Sequence, residues 1–169
     1  MRPEVEEIST HLRRFSIEIG ASPGVIYDCW TRIEQLPRLS PAILRVKRID
    51  ASHMLYEAVD TLGCRRLWDL RILERVPGHR LAWRSECGRG AASAGWAELT
   101  ALAGARTQLD VGLDYRPSSF LERVADALGW IDAGIRRDLQ RFARHVEAAQ
   151  EPSLVESAAG AQLSGSQRH

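Results

Sequence analysis

The sequence predicts an α+β fold, in which a curved antiparallel sheet of about seven strands wraps a long C-terminal helix and a short helix follows the first strand. Two patterns carry this expectation. Leu109, Val111, Leu113 and Tyr115 fall on every second position, with Asp110, Gly112 and Asp114 facing the other way, as in a strand with one buried side. Beyond Pro117, the residues Phe120, Val124, Leu128, Ile131, Ile135, Leu139, Phe142 and Val146 recur at steps of three and four. That is one apolar helical stripe, roughly eight turns long. A one-sided sheet and a one-striped helix must bury these faces against each other, and a sheet that curves around the helix leaves room for a cavity.

Each element follows in order. Residues 1–12 form a polar lead-in. Phe15, Ile17 and Ile19 alternate with Ser16 and Glu18 as the first strand. Pro23 opens a short helix, since its fixed φ and missing N–H suit the first helical position. Val25, Ile26, Cys29, Trp30 and Ile33 give that helix an apolar side, and the run from Leu36-Pro37 to Ser40-Pro41 ends it. Further strands are expected near 43–50, 53–60, 64–75, 79–86, 94–102 and 106–115. Turn signals such as Asp50-Ala51-Ser52, Leu62-Gly63, Pro77-Gly78 and Ala103-Gly104-Ala105 separate them. Short connections between evenly spaced strands favour an antiparallel meander over βαβ units. Ser119 and Glu122 have capping-box spacing at the start of the long helix. The domain therefore spans 13–149, and the small, polar residues of 150–169 are expected to form a disordered tail.

Composition narrows the function classes. Among 169 residues, 23 basic and 22 acidic side chains give a net charge of +1, which supplies no field for nucleic acid. A 44% hydrophobic content is enough for a core, yet no apolar run reaches the ~20 residues that span a bilayer. Residues 1–14 lack an apolar signal region, and Cys29, Cys64 and Cys87 lack metal or redox spacing. The expectation is a cytoplasmic protein with reduced, core-type thiols, no metal and no cofactor.

The residues resemble the polyketide cyclase/dehydrase branch of the START-like (SRPBCC) superfamily, which is similar to the coenzyme Q-binding proteins. Ala21-Ser22-Pro23 precedes Val25-Ile26-Tyr27-Asp28-Cys29-Trp30, and Leu36-Pro37-Arg38-Leu39-Ser40-Pro41 follows. Trp68 and Ile72 lead to Pro77-Gly78-His79-Arg80-Leu81-Ala82-Trp83-Arg84-Ser85. Residues 88–95 match the family's variable loop, 107–117 its last strand, and Asp138-Leu139-Gln140-Arg141-Phe142 the end of its long helix. The resemblance covers about four-fifths of the chain. It implies a helix-grip fold, one that hosts carriers, regulators and enzymes alike.

The two-residue period puts Tyr56, Ala58, Trp68, Leu70, Ile72, Leu81, Trp83, Ala97, Leu99, Leu109, Val111, Leu113 and Tyr115 on the inner face. Tyr27, Trp30, Phe120, Val124 and Leu128 join them from the helices. Either this set simply packs a core, or its half near Phe120 lines a pocket for an apolar ligand. As ligand-binding candidates we take Tyr27, Trp30, Tyr56, Trp68, Leu70, Trp83, Leu99, Leu113, Tyr115, Phe120 and Val124. Trp96 points to the outer face. The stretch 87–95 reads as a glycine-rich connection, either an ordinary loop or a gate over the cavity, and lacks phosphate-cradle spacing.

No catalytic set is legible. His11, His53, His79, His145 and His169 show no ligand pairing and read as solvated. Asp69 and Arg71 alternate outward, whereas the resemblance implies inward polar or arginine residues on that strand in aromatase/cyclases. The inward acid–base candidates are then Tyr27, Tyr56 and Tyr115, with Asp60 at a strand end. The charged positions of the long helix, Asp138 among them, fit a solvated face, with an Asp132–Arg136 pair and an Arg137–Arg141 repulsion. Arg136, Arg137, Arg141 and Arg144 could meet an acidic partner such as a carrier protein. Three readings stay open: binding of a hydrophobic small molecule such as a polyketide, isoprenoid quinone or other lipid-like ligand; a polyketide aromatase/cyclase or dehydratase acting by substrate orientation; and a partner-binding domain with a filled core.

Overall fold

The computed structural model describes residues 12–60, 63–87, 91–116 and 129–150. The sheet runs β1 (Leu12–Ile19), β2 (Ile43–Arg48), β3 (His53–Val59), β4 (Arg65–Val76), β5 (Arg80–Cys87), β6 (Ala91–Leu102) and β7 (Arg106–Arg116). Its spatial order is β1-β7-β6-β5-β4-β3-β2, with every neighbour antiparallel. The expected meander is therefore present from β2 to β7, and β1 closes onto its last strand. Helix α1 (Pro23–Thr31) follows β1. A 3-10 turn (Ile33–Gln35) and a single further turn, α2 (Leu36–Leu39), extend the helical segment past Pro37. Proline is tolerated there because the first turn of a helix has no intrahelical partner for its missing N–H.

The C-terminal helix α3 spans Trp130–Ala148. The capping box at Ser119, the upper stripe residues Phe120, Val124 and Leu128, the lead-in up to residue 11 and the tail from residue 151 lie outside the described residues. The register corrects one expectation. Cys87 pairs with Ala91 and Trp83 with Gly95, so 91–95 is paired strand and belongs to β6. A gate spanning 87–95 is excluded for those five residues, whose backbone groups are held in the ladder; residues 88–90 lie outside the described set.

The core sits between one face of the sheet and the helices. Phe15, Ile19, Ala97, Leu99, Leu109 and Val111 from the sheet meet Ile26, Leu39, Leu139, Phe142, Ala143 and Val146 from the helices. Polar stitches fix the closed end of this core. The buried Thr107 hydroxyl donates to the Ala21 carbonyl at 2.7 Å, and Glu147 Oε1 accepts the Gly20 N–H at 2.9 Å. Among the described residues, no buried side-chain nitrogen or oxygen lacks a hydrogen-bond partner. All three cysteine placements depart from expectation: Cys64 is exposed, and Cys29 and Cys87 are only half-buried.

Candidate functional site

At the other end, sheet and helix part around two adjoining compartments. The larger, about 500 Å³, is faced by Tyr56, Trp68, Leu113 and Tyr115 from the sheet and by Ile131 and Ile135 from α3. The smaller, about 250 Å³, lies against Trp30, Leu36, Leu39, Trp83 and Phe142. Leu113, Ile135 and Asp138 belong to both walls. These three residues form the waist between the compartments.

The walls are built by aromatic contacts. Tyr56 stacks on Trp68 with ring centroids 5.9 Å apart and planes within 4°. Trp68 leans on Tyr115 at 6.4 Å, Trp30 on Trp83 at 6.2 Å, and Trp30 meets Phe142 edge-on at 5.0 Å. Such tilted and offset pairs suit the ring quadrupole. They also hold large flat surfaces in fixed orientation around the open volume.

The sequence-derived candidates divide accordingly. Tyr56, Trp68, Leu113 and Tyr115 face the larger compartment; Trp30, Trp83 and again Leu113 face the smaller. Tyr27 and Leu99 instead meet around a gap of about 10 Å³, where α1 packs directly on the sheet and no ligand fits. Leu70 is half-buried and contributes to neither compartment. Phe120 and Val124 lie outside the described residues.

Several polar residues at the cavity were missed. Asp138, expected on the solvated helix face, lies in the waist. Its Oδ2 accepts from the Ser40 hydroxyl at 2.5 Å and its Oδ1 from Arg141 at 3.2 Å. The signal was available, since Ile131, Ile135, Asp138 and Phe142 follow the three–four spacing of the apolar stripe. Arg13 lines the larger compartment and donates to Asp132 at 2.8 Å, so the expected Asp132–Arg136 pair is absent. Arg136 instead lies 5.2 Å over the Phe15 ring. Arg141 is drawn to Asp138, so a simple Arg137–Arg141 repulsion does not describe that face. Extending the β1 alternation two residues back from Phe15 would have found Arg13.

Hydroxyls line the sheet side. Tyr56 Oη lies 3.3 Å from Ser85 Oγ, and Ser85 Oγ lies 3.4 Å from Ser93 Oγ at the wall of the larger compartment. Burial pushes the Tyr56 phenol up to about 12, only partly offset by the Ser85 hydrogen bond. Tyr56 is therefore a neutral hydrogen-bond donor at any physiological pH. Asp60, beside the same compartment, is held by Arg66 Nε at 2.7 Å and by the Cys64 N–H at 2.9 Å. Two histidines are not merely solvated: His53 Nε2 sits 2.9 Å from Asp69 Oδ2 and His145 Nε2 3.2 Å from Gln35 Oε1. No cluster of potential metal ligands occurs among the described residues.

On the outer face, Trp96 is half-buried between Arg14 at 5.7 Å and Arg80 at 5.4 Å, with its indole over Gly112. Among the described residues, no helix is long and apolar enough to cross a membrane.

Comparison with known proteins agrees with this architecture. The chain is 29% identical over 133 residues to an uncharacterized 17.2 kDa protein of the melC2-rnhH intergenic region of Streptomyces lincolnensis, covering 78% of this chain and 87% of that one. A START superfamily protein from Mycobacterium smegmatis superposes with TM-score 0.66 at 14% identity, over 82% of this chain and 99% of the other. The Zhui aromatase/cyclase from Streptomyces sp. R1128 superposes with TM-score 0.67 at 14% identity, over 81% and 94%. These superpositions establish the START-like fold. With residues 19–144 matching the family model, the chain belongs to the polyketide cyclase / dehydrase and lipid transport family.

Proposed function

We propose that the domain of residues 13–149 binds an apolar, ring-containing small molecule in the two joined compartments. The observation that carries this reading is the aromatic wall of Tyr56, Trp68 and Tyr115, which faces about 500 Å³ of space adjoining a further 250 Å³. Ligand sites are typically ~300–1,000 Å³, mostly apolar, with a few placed polar groups. Here those groups are the Tyr56 phenol, Ser93 and the Asp138 carboxylate. A filled core would leave no such volume, so the partner-binding reading is set aside.

A second reading rests on Tyr56 and Asp138 lining the same compartment. A neutral phenol can hold a ligand carbonyl while a carboxylate faces the same space, as orientation-driven cyclisation or dehydration of a polyketide would need. The binding reading is tested by titrating the protein with 1,4-naphthoquinone and following tryptophan fluorescence. Saturable quenching that weakens in Trp68→Leu supports it; linear, collisional quenching in both proteins removes it. Turnover of any ligand recovered from the protein then decides between carrier and enzyme.

A further inference from the structure

Four guanidinium groups stand at or next to the larger compartment, and three of them are matched. Arg13 on β1 pairs with Asp132 at 2.8 Å, Arg66 on β4 with Asp60 at 2.7 Å, and Arg141 on α3 with Asp138 at 3.2 Å. The carboxylates facing this space are thus each compensated. Arg137 is the fourth. It lines the larger compartment from α3, is exposed, and makes no ion pair among the described residues. The opposite wall is Tyr56, Trp68 and Tyr115.

We propose that the ligand of this cavity carries a carboxylate at the end that reaches Arg137, with its apolar rings held against Trp68. This rests on the binding reading above and names the class of ligand within it. The chemistry is direct. A planar guanidinium with five donors matches a carboxylate with two parallel N–H···O bonds. Low-dielectric aromatic walls on one side strengthen that attraction relative to open water. Because Asp60, Asp132 and Asp138 already hold cations, an incoming anion meets a net positive rim. A neutral ligand would leave Arg137 with no partner but water, and a cationic one would be repelled.

The test compares 2-naphthoate with its methyl ester by isothermal titration, in the full chain and in Arg137→Gln. The rings are the same in both probes and only the charge differs. The expected result is that the acid binds about three- to tenfold more tightly than the ester to the unaltered chain, the range of a partly exposed charge-assisted pair. The preference shrinks in high salt and vanishes in Arg137→Gln, while ester affinity stays the same. Arg137 is exposed and unpaired, so the variant should keep the parent's melting curve. Equal affinity for acid and ester, or a preference that survives in Arg137→Gln, overturns the carboxylate proposal and leaves the cavity reading standing. If neither probe binds, the cavity reading fails and this proposal falls with it.

Discussion

Gly95 on β6 leaves the space that the Trp83 indole of β5 occupies: a Cβ at Gly95 would stand 2.6 Å from Trp83 Cζ2 and 2.8 Å from Leu113 Cδ2. The two residues are direct cross-strand partners. No side chain larger than hydrogen fits between them without moving the indole, and the indole forms part of the smaller compartment's wall. Gly95→Ala should therefore cost ~1–3 kcal/mol, the usual range for overpacking. It should also weaken ring-compound binding, because a displaced Trp83 enters the cavity. Urea denaturation and the naphthoquinone titration measure the two effects; unchanged affinity would show that Trp83 yields elsewhere.

Gly112 on β7 does the same for Trp96 on the opposite face of the sheet. A Cβ there would collide with Trp96 Cε2 and Nε1. Gly112→Ala should lower stability by a similar ~1–3 kcal/mol. Because Trp96 faces away from the cavity, ligand affinity should stay within error. The two alanine variants are thus expected to match in denaturation and to part in binding.

Trp68 stands between Tyr56 and Tyr115 and is 8% exposed. Trp68→Leu keeps an apolar side chain but removes the ring against which both phenols are placed. Affinity for naphthoquinone should fall by at least ~10-fold, as for a buried aromatic anchor. A retained cooperative melt with lost quenching would assign the loss to the site. Undiminished affinity would move the ligand away from the larger compartment.

Tyr56 ionises late. Its phenol is raised from 10.0 to about 12 by burial, so between these values the unfolded chain releases its proton while the folded chain holds it. The contribution of Tyr56 to stability is accordingly constant below pH ~10 and lost as pH rises through about 12. Alkaline titration of the tyrosinate absorption band should show a late step that is missing in Tyr56→Phe. A lost step that falls at the ordinary tyrosine value, near ~10, would instead place the phenol in water.

Much of this fold could be read from residue spacing. The period-two alternation of Leu109, Val111, Leu113 and Tyr115 fixed an inner face because side chains of a strand must alternate. The same rule placed Trp96 outside. The site was only partly legible, for reasons visible in particular residues. Tyr27 and Leu99 share the inner face with Trp68, but where along the sheet a helix packs tightly and where it stands off is decided by tertiary contacts. Asp138 was hidden by its charge: a carboxylate on an apolar stripe was assigned to water, although Ser40, close by in space but 98 positions away in sequence, and Arg141 together make its half-burial tolerable. The extent of β6 was hidden by composition, since the glycine and alanine of 91–95 suit a loop as well as a crowded sheet that must accommodate Trp83.

On the reading proposed above, the space between sheet and helix is a ligand site. Native mass spectrometry of the purified chain, followed by organic extraction, tests it most directly. The expected result is a co-purifying, ring-containing small molecule, bound one to one, released by extraction and absent or reduced in Trp68→Leu. A chain that carries nothing, and that takes up neither naphthoquinone nor naphthoate when these are supplied, would contradict it.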